Sequence, residues 1–176
     1  MSDSAGNGFS VLDGVALVAG AAVASVHTRG VLDEDPFGPG WLVVLVAFIW
    51  VAMTAAGPFL YLVRRYVRAL PGYPQVGDRL WAILGLPWLL TALIQAAPSR
   101  PHPATAIPGA AHAALLMVGL GVASLTALSV VWGTWVTVTP EQASETFSPP
   151  WTNRVGLVLS IAWPVQCGVG MVVIGR

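Results

Sequence analysis

Residues 41 to 63 form a stretch in which no side chain carries a charge. A helix needs roughly 20 such residues to cross the hydrocarbon core of a bilayer. Over the whole chain of 176 residues, 9% are charged and 56% are hydrophobic, whereas a soluble domain carries about 25% charged residues because its surface faces water. The chain has too little charge to cover a water-soluble globule, so part of its surface must face lipid.

Five apolar stretches are predicted to form membrane-spanning helices: residues 11–28, 41–63, 80–97, 110–138 and 155–174. Backbone N–H and C=O groups must be satisfied inside lipid, which favours helices, and the alternating pattern of barrel strands is absent. The first stretch is short and rich in Ala and Gly, so a bundle of four spans is the alternative. We expect an all-α integral membrane protein, a bundle of about five transmembrane helices in a single domain, 1–176.

The distribution of arginine predicts the orientation, because cytoplasmic loops carry an excess of basic residues. The connection 64–79 contains four arginines, whereas the connections 29–40 and 97–109 contain one each. With five spans, the N-terminus and the four-arginine connection face the cytoplasm, and we expect the membrane to be a bacterial inner membrane. Arg64, Arg65 and Arg68 are then expected to meet anionic lipid head groups, each contributing about 1 kcal/mol.

Small residues at four-residue spacing form ridges on two of the predicted helices. The ridge residues are Ala16, Gly20 and Ala24 on the first helix, and Gly119 and Ala123 on the fourth. Such ridges let helix backbones approach closely, and a polar side chain within a span, such as Gln166, bonds to a neighbouring helix. The pattern predicts a packed bundle that associates with other membrane subunits or with itself.

Asp13 is the only acidic residue inside a predicted span, and acids within a membrane are costly. One interpretation is a proton or cation site. The interpretation we favour is local: Ser10 and Asp13 have the spacing of a capping box, in which the serine hydroxyl accepts from the Asp13 N–H and the acid accepts from the Ser10 N–H. An acid there also complements the positive end of the helix dipole.

Pro58, Pro87 and Pro164 each lie well inside a predicted span. Proline removes a backbone hydrogen bond and kinks the helix. Kinked helices can line a substrate cavity near the middle of the bilayer, but proline is also commoner in membrane helices than in soluble ones. The three prolines therefore mark a candidate cavity and do not establish one.

His27 and His112 fall at a similar depth in the predicted topology, near the outer ends of the first and fourth spans. Two neutral imidazoles on facing helices can supply the axial ligands of a b-type haem. Gly20 and Gly119 lie two turns deeper on the same faces, and Arg29 can meet a haem propionate. The competing interpretation is that histidines at an interface are amphipathic residues with a solvated tip, and that 19 glycines produce such spacings by chance.

No metalloprotease, nucleophile-elbow, phosphate-loop or dinucleotide motif occurs in the sequence, which argues against an enzyme. The formal net charge of zero argues against a nucleic-acid partner. Three hypotheses of function remain. The first is an accessory or structural subunit of a membrane complex. The second is a small channel or transporter, and the third is a haem-binding redox protein.

Overall fold

The computed structural model describes residues 8–34, 41–70, 73–96, 109–137 and 151–174, with the side chains at 30–34, 109–113, 134–135, 137 and 164–174 excepted. These residues form five α-helices: α1 (Val11–Glu34), α2 (Trp41–Leu62), α3 (Val76–Ala96), α4 (Gly109–Thr137) and α5 (Trp151–Ile174). No strand occurs in the described ranges. The predicted all-α fold class is confirmed.

Among the residues that the structure describes, four helical segments are long and apolar enough to cross a membrane: Val11–Arg29, Trp41–Val67, Val76–Ala96 and Ala114–Gly133. The first of them contains the Ala- and Gly-rich stretch, which is therefore long enough to span. By their length and composition, these segments indicate a multi-pass membrane protein. Helix α5 has 24 residues, and that it also crosses the bilayer stays a prediction.

Helix α2 is followed directly by an irregular turn that carries two of the arginines. Residues Val63–Val67 form one turn of π-helix, in which the Arg68 N–H donates to the Val63 carbonyl over 2.9 Å. A π turn holds more residues than an α turn, so it rotates the side chains that follow it, and such turns are frequent at functional sites. Beyond it, Ala69 has a φ of 45°, and the chain leaves the helix.

Helix α3 is the centre of the bundle, since it contacts each of the other four helices. Small residues permit the close approaches. Gly57 of α2 lies against the backbone of Trp81, and Gly85 of α3 lies against Thr54 and Pro58, and neither position has room for a Cβ atom. The Trp81 indole N–H also donates to the Met53 carbonyl over 2.6 Å, which fixes α3 on α2.

The main apolar core is centred on the first half of α3 and draws residues from all five helices. Its buried members are Ala16, Ala56, Leu60, Leu80, Trp81, Leu84, Leu120, Ala123, Ala127, Leu159 and Trp163. Because lipid is as apolar as these side chains, tight van der Waals packing rather than the hydrophobic effect holds such helices together. Polar contacts between helices therefore contribute more to determining which helices pack together.

Candidate functional site

The first turn of α1 places Asp13 inside the protein, where it is fully buried. The Ser10 N–H donates to Asp13 Oδ2 over 2.9 Å, and the Asp13 N–H donates to Ser10 Oγ over 3.2 Å. This reciprocal pair is the predicted capping box, which is confirmed. Capping accounts for the position of Asp13 in sequence, but not for its burial.

Burial of Asp13 is explained by Arg64, whose side chain is also 0% exposed. Arg64 Nε donates to Asp13 Oδ1 over 3.0 Å, and Nη2 donates to Oδ2 over 2.8 Å. This two-pronged geometry is the strongest that a guanidinium and a carboxylate form. Two buried charges are tolerable when they are paired and bonded in this way, whereas either one alone would be very costly.

The remaining donors of this group tie in α5 and a second arginine. Arg64 Nη1 donates to Thr152 Oγ1 over 3.3 Å, and the Arg64 guanidinium lies over the Trp151 ring, 5.2 Å from its centroid. Arg68 Nη1 donates to Asp13 Oδ2 over 3.3 Å, with 17% of the Arg68 side chain exposed. One carboxylate thus joins the start of α1, the end of α2 and, through Thr152, the start of α5.

A second acid, Asp78, occupies the first turn of α3 and is 2% exposed. The Gln75 N–H donates to Asp78 Oδ2 over 2.9 Å. Asp78 Oδ1 and Gln75 Oε1 are both enclosed by the protein without a hydrogen-bond partner. The Thr152 hydroxyl faces Asp78 from α5. In contrast to Asp13, Asp78 forms no ion pair with the arginines described here.

Helices α3 and α5 are in backbone contact beside Asp78. The Gly77 N–H donates to Asn153 Oδ1 over 2.7 Å. A Cβ atom at Gly77 would overlap the Asn153 backbone, and one at Gly156 would overlap Gly77. Glycine is required at both positions because the backbones approach too closely for any side chain. This contact sets the distance between Thr152 and Asp78.

We call the group that these contacts assemble the polar node, and its members are Asp13, Arg64, Arg68, Asp78, Thr152 and Asn153. It lies at the end of the bundle where α1, α3 and α5 begin and α2 ends. Tyr73 stands beside it, outside the helices. Burial raises the pKa of the Tyr73 phenol above its usual range, and the neighbouring Asp78 adds to the effect. The phenol is therefore neutral at physiological pH.

The polar node corrects one prediction. The sequence-based expectation places Arg64 at the lipid head groups, but the structure buries it completely. The π turn and the available Asp13 carboxylate explain the difference. Arg65 is exposed and lies over the rings of Tyr61 and Tyr66, with centroid distances of 5.9 and 5.7 Å. For Arg65, and for the partly exposed Arg68, contact with head groups stays a prediction.

The predicted haem ligands are placed as follows. His27 Nε2 lies 3.0 Å from the Trp88 carbonyl and must donate to it, because a carbonyl oxygen only accepts. Thr91 Oγ1 is 3.5 Å from the same nitrogen. An axial ligand offers iron a nitrogen lone pair, so Nε2 is not available for that role while this bond lasts. Arg29 is exposed, and the side chain of His112 lies outside the described residues.

The two glycines that are expected to let a haem approach instead contact neighbouring helices. Gly20 lies against Ala52 and Ala56 of α2, with no room for a Cβ atom, and a Cβ atom added at Gly119 would lie 3.2 Å from the Pro87 ring. Both glycines belong to the ridges that are expected to pack helices. In the same ridges, Ala16, Ala24 and Ala123 are buried. The structure thus puts these small residues at contacts between helices.

Two of the three prolines that mark the candidate cavity pack against neighbouring helices. Pro58 is buried against Gly85 of α3, and Pro87 is buried against Gly119 of α4. Each proline ring fills the space above a glycine, so these residues serve close packing. Pro164 and Gln166 lie in α5, and their side chains fall outside the described residues. No cluster of three metal-binding side chains occurs in the described part of the chain.

Comparison of the chain with models of protein families, with curated proteins and with solved structures finds no match.

Proposed function

We propose that the protein is a structural subunit of a larger membrane assembly and that it docks through the outer face of α4. The observation that carries this proposal is the asymmetry of burial among the apolar segments. In the 18-residue apolar window within Ala114–Gly133 of α4, 17% of the residues are buried inside the chain, against 33 to 39% in the windows of the other three segments. Helix α4 lies at the edge of the bundle, mainly against α3.

The composition of the outer face of α4 supports a protein partner over lipid alone. Gly121, Thr126 and Ser129 are exposed on it, and a Cβ atom at Gly121 would meet nothing within 4 Å. Small residues and hydroxyls are enriched where membrane helices meet, because they let backbones approach and bond. Bulky exposed side chains such as Leu125 and Leu128 flank them. We infer that the partner is a transmembrane helix of another subunit.

The orientation belongs to the same proposal. Three arginines directly follow α2: Arg64, Arg65 and Arg68. Arg79 lies in the first turn of α3, and Arg154 lies in the first turn of α5. The contacts of the polar node bring these helix ends together, so five of the eight basic residues share one end. The excess of basic residues on cytoplasmic ends supports a cytoplasmic N-terminus in a bacterial inner membrane. The exposed Arg65 would meet anionic head groups there.

The experiment compares the native mass of assemblies extracted in a mild detergent. The wild-type chain is expected to co-purify in a defined complex with other membrane proteins. Gly121→Leu and Ser129→Leu place bulk on the proposed contact and should release the chain from it. Ala22→Leu is the matched control, since Ala22 is also small and exposed but lies on α1. A wild-type chain that is monomeric under these conditions contradicts the proposal.

A further inference from the structure

We propose that Asp78 is a proton-binding site: the carboxyl of Asp78 is protonated in the resting protein at neutral pH. This inference is independent of the docking of α4. It starts from a carboxyl that is 2% exposed and has one oxygen without a hydrogen-bond partner. A buried ionised carboxylate needs a cation or a full set of donors, and otherwise it takes up a proton.

The guanidinium groups near Asp78 are directed at other partners, whereas the Thr152 hydroxyl faces it. Arg64 directs Nε and Nη2 to Asp13 and Nη1 to Thr152. Arg68 bonds to Asp13. Asp78 receives one backbone hydrogen bond, from the Gln75 N–H. The exposed Arg79 and Arg154 flank the site on α3 and α5, and no ion pair joins either of them to Asp78 among the described residues.

A second oxygen without a hydrogen-bond partner lies close to Asp78 in the sequence. Gln75 Oε1 is enclosed without a partner three residues before Asp78. The Gln75 amide oxygen needs only a hydrogen-bond donor, whereas the Asp78 carboxyl oxygen needs a donor, a cation or a proton. Neither oxygen has exposed surface on which a water molecule or an ion could sit, and a hard cation requires about six oxygen ligands. A proton needs no volume, and a protonated carboxyl is itself a donor.

The protonation state of Asp78 also affects the pairing of Arg64 with Asp13. The Thr152 hydroxyl accepts from Arg64 and faces Asp78, so it lies between the two. When Asp78 releases its proton, the new carboxylate competes with Asp13 for Arg64. The neutral phenol of Tyr73 and the carboxylate of Asp13 are the other titratable groups facing this end of α3. The proton on Asp78 thereby keeps Arg64 on Asp13.

The experiment is infrared spectroscopy of the full chain in lipid nanodiscs, titrated from neutral to alkaline pH. We expect a C=O stretching band of a protonated carboxyl at neutral pH that shifts in D₂O, disappears on alkaline titration and is missing in Asp78→Asn. Thr152→Val removes the hydroxyl that faces Asp78, so the band should persist to higher pH. Absence of the band from the wild-type protein at neutral pH overturns the proposal.

Isotope labelling of aspartate and removal of metal cations complete the test. If Asp78→Asn does not fold, aspartate labelled with ¹³C at its carboxyl is introduced into the wild-type chain. A band that moves with this label comes from an aspartate, and exposed aspartates are ionised at neutral pH. A band that appears only when sodium and potassium are removed would show a metal cation at Asp78 and would also overturn the proposal.

Discussion

The first turns of α1 and α3 are built alike but serve different chemistry. In both, an aspartate follows the capping residue by three positions and accepts its backbone N–H over 2.9 Å. Asp13 accepts two hydrogen bonds from the Arg64 guanidinium, whereas no guanidinium among the described residues pairs with Asp78. The same local motif therefore holds a charged acid in one place and, by our proposal, a neutral acid in the other. The tertiary partner decides the charge.

The largest expected effect comes from removing the charge of Asp13. Asp13→Asn leaves Arg64 buried without its partner, and breaking a buried pair in this way costs about 3–5 kcal/mol. The free energy of unfolding, measured by denaturation in mixed micelles, should fall by that amount. The double variant Asp13→Leu/Arg64→Met removes both charges and should recover most of the loss. A single variant as stable as the wild type would refute the assignment of Asp13 as an essential charge partner.

The contact between α3 and α5 gives the next largest effect. Gly77→Ala and Gly156→Ala each force a methyl group into backbone atoms, and overpacking of this kind costs about 1–3 kcal/mol. Because this contact positions Thr152, the variants should also disturb the node. Gly121→Ala is the control, since open space surrounds that glycine. Equal unfolding free energies for all three variants would mean that the two helices are not in close contact.

Asp78→Asn should have a smaller effect than Asp13→Asn. If Asp78 is already neutral, the amide replaces a neutral group of the same shape, and we expect a change of about 1 kcal/mol or less at neutral pH. The same unfolding assay measures it, and Asp13→Asn is the comparison. A loss as large as that of Asp13→Asn would mean that Asp78 is a charged partner of an arginine.

Tyr73 provides the smallest effect, confined to alkaline pH. Burial raises the pKa of Tyr73 in the folded protein above its ordinary value of about 10. The folded state then holds the phenol proton more tightly than the unfolded state. The contribution of Tyr73 to the free energy of unfolding is therefore fully present below about pH 10 and declines as the pH rises further. Tyr73→Phe should lose less stability than the wild type in that alkaline range. Identical alkaline slopes for the two proteins would exclude the effect.

Local features of the chain are predictable from the sequence, and long-range pairings are not. The capping box of Ser10 and Asp13 follows from residue spacing, and the helical fold follows from the lack of charge. The bond between Asp13 and Arg64 joins residues 51 positions apart through a π turn that no sequence pattern indicates. Asp78 falls in a connection if the third span begins at residue 80, as the hydropathy predicts, whereas α3 begins at Val76.

The small residues show the same division. The ridges on α1 and α4 are visible as spacings, but spacing alone does not distinguish a neighbouring helix from a haem at Gly20 and Gly119. Only the tertiary contacts identify α2 and Pro87 as the neighbours. A further signal in the sequence is the pair Gly77 and Gly156, each near a helix start and close to a polar residue. Its meaning depends on knowing that α3 and α5 begin side by side.

The most direct test of the difference between the two turns is a pair of double-mutant cycles that share Arg64→Gln. One cycle combines it with Asp13→Asn and the other with Asp78→Asn, and the unfolding free energy is measured at neutral pH. Direct contacts give coupling energies of about 0.5–3 kcal/mol. We predict a coupling in the upper part of that range for Asp13 and a coupling near its lower limit for Asp78. Equal couplings would contradict the account.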